Sequence, residues 1–151
     1  MQIQKITWNE IIDFIDRTAS ILSSKEKVDV ILAIGSSGLI PAALIAIKLK
    51  IPEFYSIKVE RYDEGKPPRV LYDDPVVRLY SNIDLTGKSV LVVDDLIRTG
   101  KTITKVLKIV ESMSAKRIIT LVLVLKKNAP FRPDYYYLEI DECPLFPWES
   151  K

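Results

Sequence analysis

The segment VLVVDDLIRTGKT, residues 90–102, constrains the fold of this chain more than any other feature. It begins with four apolar residues and lacks the polar alternation of a half-exposed strand, which predicts a strand covered on both faces in a parallel sheet. Two carboxylates, Asp94 and Asp95, follow directly. Ligands of open α/β sheets lie beyond the carboxyl ends of such strands, so both side chains are candidates for a binding site.

A helix is expected after these carboxylates, because apolar residues recur at helical spacing at Ile103, Val106, Leu107 and Val110. The turn at residues 98–102 therefore lies at a helix N-terminus, where free N–H groups and the positive dipole end favour a phosphate. The hydroxyls of Thr99 and Thr102 can add donors. Carboxylates accept hydrogen bonds from ribose hydroxyls, so this segment could hold both ends of a ribose 5-phosphate.

These residues resemble the signature with which type I phosphoribosyltransferases bind PRPP, 5-phosphoribosyl 1-pyrophosphate. The signature has four apolar residues, two acidic ones, two apolar ones, a variable one and then Thr-Gly-Lys/Gly-Thr/Ser. Asp94, Asp95, Thr99, Gly100 and Thr102 match it. Two other interpretations are weaker: a surface turn with solvated aspartates, and an ATP- or GTP-binding phosphate loop, whose first glycine would have to stand where Asp95 is.

Composition fits one compact enzyme domain of 151 residues, 48% of them hydrophobic. A net charge of +2 is too small to indicate a nucleic-acid partner. Cys143 is the only cysteine, which rules out an internal disulfide and favours a cytoplasmic location. The longest apolar stretch, residues 39–47, contains Pro41 and is too short for a membrane span, and the charged N-terminus predicts no secretory leader.

The predicted element order is α-β-α-β-loop-β-β-α-β-β, typical of an α/β fold. Thr7 and Glu10 form a candidate capping box for the first helix, and a second helix is expected at residues 40–49. Besides the strand at 90–93, strands are expected at residues 28–34, 54–59, 76–80, 118–125 and, at a sheet edge, 135–140. Residues 60–75 have no period and predict a mobile loop. No linker divides the chain, so residues 1–151 are expected to form a single domain.

Over nearly its whole length the chain resembles the small archaeal and bacterial 6-oxopurine phosphoribosyltransferases of the xanthine-guanine kind, especially at VDVILAIGSSGLIPA, LKKNAPFRPDYY and FPWE. The resemblance implies a parallel sheet with flanking helices and a small base-binding hood, formed by residues 126–151 with the N-terminal segment. It also implies transfer of the phosphoribosyl group from PRPP to hypoxanthine, guanine or xanthine in purine salvage, with Mg²⁺. The products would be a nucleoside monophosphate and pyrophosphate, and the protein a homodimer or homotetramer.

The resemblance also assigns roles to individual residues. Asp94 and Asp95 would contact the ribose hydroxyls and hold Mg²⁺, directly or through water. The 5-phosphate loop would consist of Arg98, Thr99, Gly100, Lys101 and Thr102. The pyrophosphate would lie against Ser36, Ser37, Gly38 and Arg61, and the base against Lys126, Cys143, Leu145 and Glu149. Lys126 matches the lysine that donates to the purine O6, and Trp148 with Glu149 matches the family's pair that closes the hood.

Three positions depart from the family pattern. Arg98 replaces the aspartate that exchanges a proton with N7 of the purine, and a guanidinium cannot act as a base. Ser36 and Ser37 replace an arginine and a glycine of the pyrophosphate loop, and Cys143 replaces an aromatic residue that stacks on the base.

Cations of the mobile loop, Arg61 or Lys66, together with Tyr62, would then supply the charge that Ser36 lacks. Two alternatives to ordinary purine transfer stay open. One is a catalytically weak or silent sensor of PRPP or nucleotides, and the other is a transferase for an anionic or non-purine base that pairs with Arg98.

Overall fold

The computed structural model of the protein describes residues 2–62, 65, 68–80 and 82–149. Within these residues the elements follow in the order β1 (Ile3–Lys5), α1 (Trp8–Lys25), β2 (Val30–Gly35), α2 (Leu39–Leu49), β3 (Phe54–Glu60), β4 (Val76–Leu79), β5 (Ser89–Ile97), α3 (Lys101–Ser112), β6 (Arg117–Lys126), β7 (Tyr135–Ile140) and β8 (Cys143–Leu145). The main sheet has the order β4-β3-β2-β5-β6-β7, and only β3 and β4 pair antiparallel. The predicted α/β fold with a parallel sheet is confirmed.

The core lies on both faces of this sheet. Helices α1 and α2 cover one face, where Ile11, Ile15 and Leu22 belong to the same buried cluster as Leu91 of β5. Helix α3 covers the other face through Val106 and Val110, whose cluster includes Val90 and Val92. Strand β5 is therefore fully buried at residues 90–93, which explains its uninterrupted apolar sequence.

The long elements match their sequence patterns closely. Helix α1 begins with the predicted capping box: the N–H of Glu10 donates to the hydroxyl of Thr7 at 3.2 Å, and the N–H of Thr7 donates to the carboxylate of Glu10 at 2.7 Å. Strand β7 has its predicted bounds and lies at the sheet edge. Strand β5 is longer than predicted, because it continues through both aspartates to Ile97 and still pairs with β6 there.

Two short strands were not predicted. Strands β1 and β8 form a separate parallel pair in which Ile3 faces Cys143 and Lys5 faces Leu145. This pair joins the two ends of the chain and carries residues 145–149 toward the carboxyl ends of β2 and β5. In the described parts of the chain, no helix is long and apolar enough to cross a membrane.

Candidate active site

A cavity of about 850 Å³ opens at the carboxyl ends of β2, β3 and β5. Strands β2 and β5 are neighbours whose following helices cover opposite faces of the sheet, which is the place where ligands enter open α/β sheets. The predicted site residues that line the cavity are Ser36, Ser37, Arg61, Asp94, Asp95, Arg98, Thr99, Gly100, Thr102, Leu145 and Glu149. Four other predicted residues lie outside its lining, namely Gly38, Lys101, Lys126 and Cys143.

Asp94 and Asp95 form a pair of crowded carboxylates on the cavity wall. Asp94 is 7% exposed, and its Oδ1 accepts a hydrogen bond from the backbone N–H of Asp95 at 2.8 Å. Burial raises the pKa of Asp94 well above its usual range, and the charge of Asp95 raises it further. Burial is also the main cause that raises the pKa of Asp95, to which the charge of Glu149 adds. The backbone N–H groups that donate to the pair therefore do not outweigh the burial of its two charges.

Hydroxyl groups and a hard divalent cation are the partners that suit such a pair. Among the described residues, no group of three or more His, Cys, Asp or Glu side chains could hold a metal ion by itself. Mg²⁺ is commonly bound by one or two carboxylates while substrate phosphates and water supply the other ligands. Asp94 and Asp95 thus fit a magnesium ion that binds together with a phosphorylated substrate.

The predicted phosphate loop lies at the start of α3. Gly100 precedes this helix with φ +84°, and a Cβ atom there would lie 2.5 Å from Cβ of Phe131, so the position requires glycine. The hydroxyl of Thr99 accepts a hydrogen bond from the N–H of Lys101 at 3.3 Å. The first turn of α3 contains no acidic residue. This geometry is suited to an anion.

Arg61 lies against this phosphate loop. It is 7% exposed, and its Nη1 donates to the Thr99 hydroxyl at 2.8 Å and to the Tyr62 hydroxyl at 2.5 Å. Its Nε donates to the carbonyl of Asp73 at 3.3 Å. Arg61, predicted for the pyrophosphate, therefore joins the chain after β3 to the loop that precedes α3.

The described parts of residues 60–75 are more regular than predicted. Tyr62 forms an antiparallel bridge with Val70. Asp73 pairs with Lys101 at 2.9 Å, and Asp74 pairs with Lys105 of α3 at 2.7 Å. The segment is therefore attached to the first turns of α3, whereas Lys66 and Pro67 lie outside the described residues.

The loop after β2 forms another part of the cavity wall. Ser36 and Ser37 line the cavity, and the Gly35–Ser36 peptide bond is cis. Gly38 packs behind them, where a Cβ atom would lie 2.3 Å from the carbonyl of Ile34 and 3.0 Å from that of Val93. The lack of a side chain at Gly38 thus allows α2 to pack closely against β2 and β5.

Arg98 and Lys126 lie close together, but only Arg98 lines the cavity. The guanidinium of Arg98 lies 5.4 Å from the ring centroid of Tyr62. The ammonium of Lys126 donates to the carbonyls of Asp141 and Glu142. Burial lowers the pKa of Lys126, and the charge of Arg98 lowers it further. Lys126, predicted to contact the base directly, is therefore anchored to the chain just before β8.

The C-terminal residues form an apolar wall. Leu145, Phe146, Trp148 and Glu149 line the cavity, and the rings of Phe146 and Trp148 stack with centroids 4.7 Å apart. Glu149 accepts a hydrogen bond from the N–H of Phe146 at 2.9 Å. Cys143, predicted to lie against the base, is 3% exposed and pairs with Ile3 in the small sheet. The structure therefore places it behind this wall.

Residues 5–151 match the family described as the phosphoribosyl transferase domain. The chain belongs to the phosphoribosyltransferase family. In this member of the family, the carboxylate pair, the start of α3 and the aromatic wall line one cavity.

The chain is also similar to two solved structures and to a curated relative, one of which is a phosphoribosyltransferase by name. The crystal structure of a purine phosphoribosyltransferase from Pyrococcus horikoshii has a TM-score of 0.86 and 30% identity, covering 100% of this chain and 96% of that one. A Neisseria gonorrhoeae protein solved with bound ppGpp has a TM-score of 0.80 and 27% identity, covering 99% of this chain and 91% of that one. The transcriptional regulator GfcR of Archaeoglobus fulgidus is 29% identical over 106 residues, 69% of this chain and 51% of that protein. The chain spans about half or less of the first curated relatives that it matches.

Sequence reasoning missed part of this phosphoribosyltransferase site. Phe146 lies next to the predicted Leu145 among the cavity-lining residues, but it is 1% exposed and its ring stacks on that of Trp148. The aromatic residues of FPWE were the available signal, but placing them required the pairing of β1 with β8. Tyr62, which was predicted together with Arg61, also lines the cavity.

Proposed function

We propose that this protein transfers the 5-phosphoribosyl group from PRPP to a purine of the hypoxanthine, guanine or xanthine class. The products would be a nucleoside monophosphate and pyrophosphate, and the role purine salvage. The observation that carries the proposal is that Asp94, Asp95 and the start of α3 line one cavity with the aromatic wall at Phe146. One end of this cavity suits a phosphate, the middle suits a ribose and the wall suits a heterocycle.

Each part contributes to the reaction by positioning or by charge. The N–H groups at the start of α3 hold the 5-phosphate, and Asp94 and Asp95 accept hydrogen bonds from the ribose hydroxyls. Mg²⁺, when bound, neutralises the negative charge that develops on the leaving pyrophosphate. Arg61 lines the same cavity, where its guanidinium donates to the Thr99 hydroxyl and adds a positive charge. The aromatic wall excludes water from the reacting carbon, which protects the cationic sugar from hydrolysis.

The test is release of pyrophosphate from PRPP with Mg²⁺ and a panel of purines and pyrimidines. We expect turnover with at least one 6-oxopurine. The double variant Asp94→Asn with Asp95→Asn should lose turnover and PRPP binding while it stays folded. Asp13→Asn, on the exposed side of α1, is the matched control and should behave as the unaltered protein. Unchanged PRPP affinity in the double variant would refute the ribose assignment.

A second candidate is a sensor that binds PRPP or a nucleotide without turnover. It is favoured by Arg98, which removes a proton acceptor, and by the similarity to a protein with bound ppGpp and to a transcriptional regulator. The same assay separates the two functions. Binding of PRPP, a purine monophosphate or ppGpp, with no pyrophosphate release from any base, would identify the sensor.

A further inference from the structure

Two neighbouring cations of the site, Arg98 and Lys126, form no ion pair among the described residues, although the charges of Asp141 and Glu142 act on Lys126. Within the described parts of the chain, the guanidinium of Arg98 forms no ion pair, and its contact is the ring of Tyr62. The ammonium of Lys126 is hydrogen-bonded to two uncharged carbonyls. Both side chains are partly buried. Partly buried charges without counter-ions are unfavourable unless a ligand compensates them.

The 5-phosphate is not the anion that would compensate them. That phosphate is held by the start of α3, where Arg61 already lies beside Thr99. Lys126 is bonded to the chain that immediately precedes β8 and the aromatic wall, so Arg98 and Lys126 flank the part of the cavity where the heterocycle lies. Four carboxylates line the cavity together with Arg98, namely those of Glu60, Asp94, Asp95 and Glu149, and the charges of Asp141 and Glu142 act on Lys126. Glu60 is paired with Arg78, and the proposed function assigns Asp94 and Asp95 to the ribose.

We propose that Arg98, with Lys126 behind it, makes this site select a purine whose five-membered ring has lost its proton. Arg98 is then a specificity-determining residue. No protein group removes the proton from the base; instead, the guanidinium of Arg98 stabilises the base that has already lost it. The inference rests on the proposed transferase function, because it concerns the base that the reaction consumes. It predicts that acidity of the ring N–H, rather than shape alone, decides which 6-oxopurine is accepted.

The step balances without a proton acceptor in the protein. A ring nitrogen of the base anion forms a bond to C1 of the ribosyl group while the bond from C1 to the pyrophosphate oxygen breaks. The pyrophosphate leaves with the electron pair of that bond. The proton of a neutral base has already passed to the solvent on binding, so one proton is released to the buffer for each base bound.

The experiment compares guanine with 8-azaguanine, which has nearly the same shape and a more acidic ring N–H. Each base is titrated calorimetrically into the full chain saturated with ribose 5-phosphate and Mg²⁺, in two buffers of different ionisation enthalpy, which reports the protons released. We expect 8-azaguanine to bind about ten-fold or more tightly than guanine at neutral pH. Guanine should release about one proton per base bound, and its affinity should increase with pH.

Three variants test the residue itself. Arg98→Gln should abolish the preference for 8-azaguanine and the proton release, whereas Arg98→Lys should keep most of both. Arg17→Gln, on the exposed side of α1, is the matched control and should change neither. Melting temperatures identify a variant that fails to fold, and the charge-retaining Arg98→Lys then carries the test.

Equal affinities for the two bases in the unaltered protein would overturn the inference, as would proton release that persists in Arg98→Gln. Absence of binding by both bases would also overturn it. A failure of the transferase proposal is distinguishable, because the bases would then bind without any release of pyrophosphate from PRPP.

Discussion

The buried carboxylates of the candidate site carry a cost in folding stability. Asp94 is nearly buried beside a second carboxylate, and the folded state raises its pKa above the value of 3.8 for an unperturbed aspartate. The folded state therefore binds this proton more tightly than the unfolded state does. Ionisation of Asp94 lowers the free energy of unfolding, and this loss grows as the pH rises from about the unfolded pKa to the raised one. A cation or a ribose that binds the pair reverses the loss.

Asp94→Asn should accordingly stabilise the protein without ligand while it weakens PRPP binding. Its gain in melting temperature over the unaltered protein should be small at acidic pH and should increase as the pH rises toward neutrality. The gain reports how strongly burial and the charge of Asp95 raise the pKa of Asp94 in the folded protein. Thermal melts across pH, with Asp13→Asn as the exposed control, measure it. A gain that is the same at every pH would contradict the assignment of the destabilisation to this charge.

Arg61 offers a test of geometry at constant charge. Its guanidinium donates to Thr99, Tyr62 and the carbonyl of Asp73, and a lysine ammonium cannot reproduce this planar set of donors. Arg61→Lys should therefore raise the KM for PRPP by about ten-fold and change kcat less, because the loop before α3 loses hydrogen bonds that hold it in place. Initial rates over a PRPP series measure this effect. Arg17→Lys is the control, and an unchanged KM for PRPP would show that Arg61 only packs the segment.

At the scale of elements, the turn before α3 depends on one glycine. Gly100→Ala combines a strained positive φ with a clash against Phe131, whereas Gly87→Ala has φ +75° and no heavy atom within 4 Å of the new Cβ. Gly87→Ala should thus lower the free energy of unfolding only by the cost of a positive φ in alanine, about 1–2 kcal/mol. Gly100→Ala should lose more stability and should also weaken phosphate binding about ten-fold or more. Urea denaturation and PRPP titration of both variants measure the two effects, and equal losses would contradict the close contact with Phe131.

The elements differ in how far the sequence could predict them. Strands β2, β5 and β6 were predicted because each contains a run of at least four apolar residues, which burial on two faces favours. Strands β1 and β8 have three residues each and exist only because the chain ends meet, so no local pattern marks them. The carboxylates and the phosphate turn were predictable because they are contiguous. The burial of Arg61 was not, because it depends on a contact with Thr99, 38 residues away.

At the scale of the whole molecule, the cavity lies between three parts of the chain that are distant in sequence. The chain after β3, the turn before α3 and the wall after β8 meet there through Arg61 with Thr99, Asp73 with Lys101, and the pairing of β1 with β8. The ion pairs of Asp73 and Asp74 with α3 are exposed, and exposed pairs contribute only about 0–1 kcal/mol each. These ion pairs therefore add little to the backbone hydrogen bonds that hold residues 68–74, and we expect a ligand to add further contacts.

Hydrogen exchange with and without PRPP and Mg²⁺ should therefore show gains in protection in two separate segments. We expect slower exchange at residues 68–74, because this segment closes over the pyrophosphate, and at residues 143–149, because the base wall lies across the same cavity. Amides of α1, on the outside of the sheet, serve as the internal control and should not change. Ribose 5-phosphate alone should protect only the turn before α3, since it lacks the pyrophosphate. Equal exchange of residues 68–74 with and without PRPP would show that this segment is a fixed wall of the cavity rather than a lid.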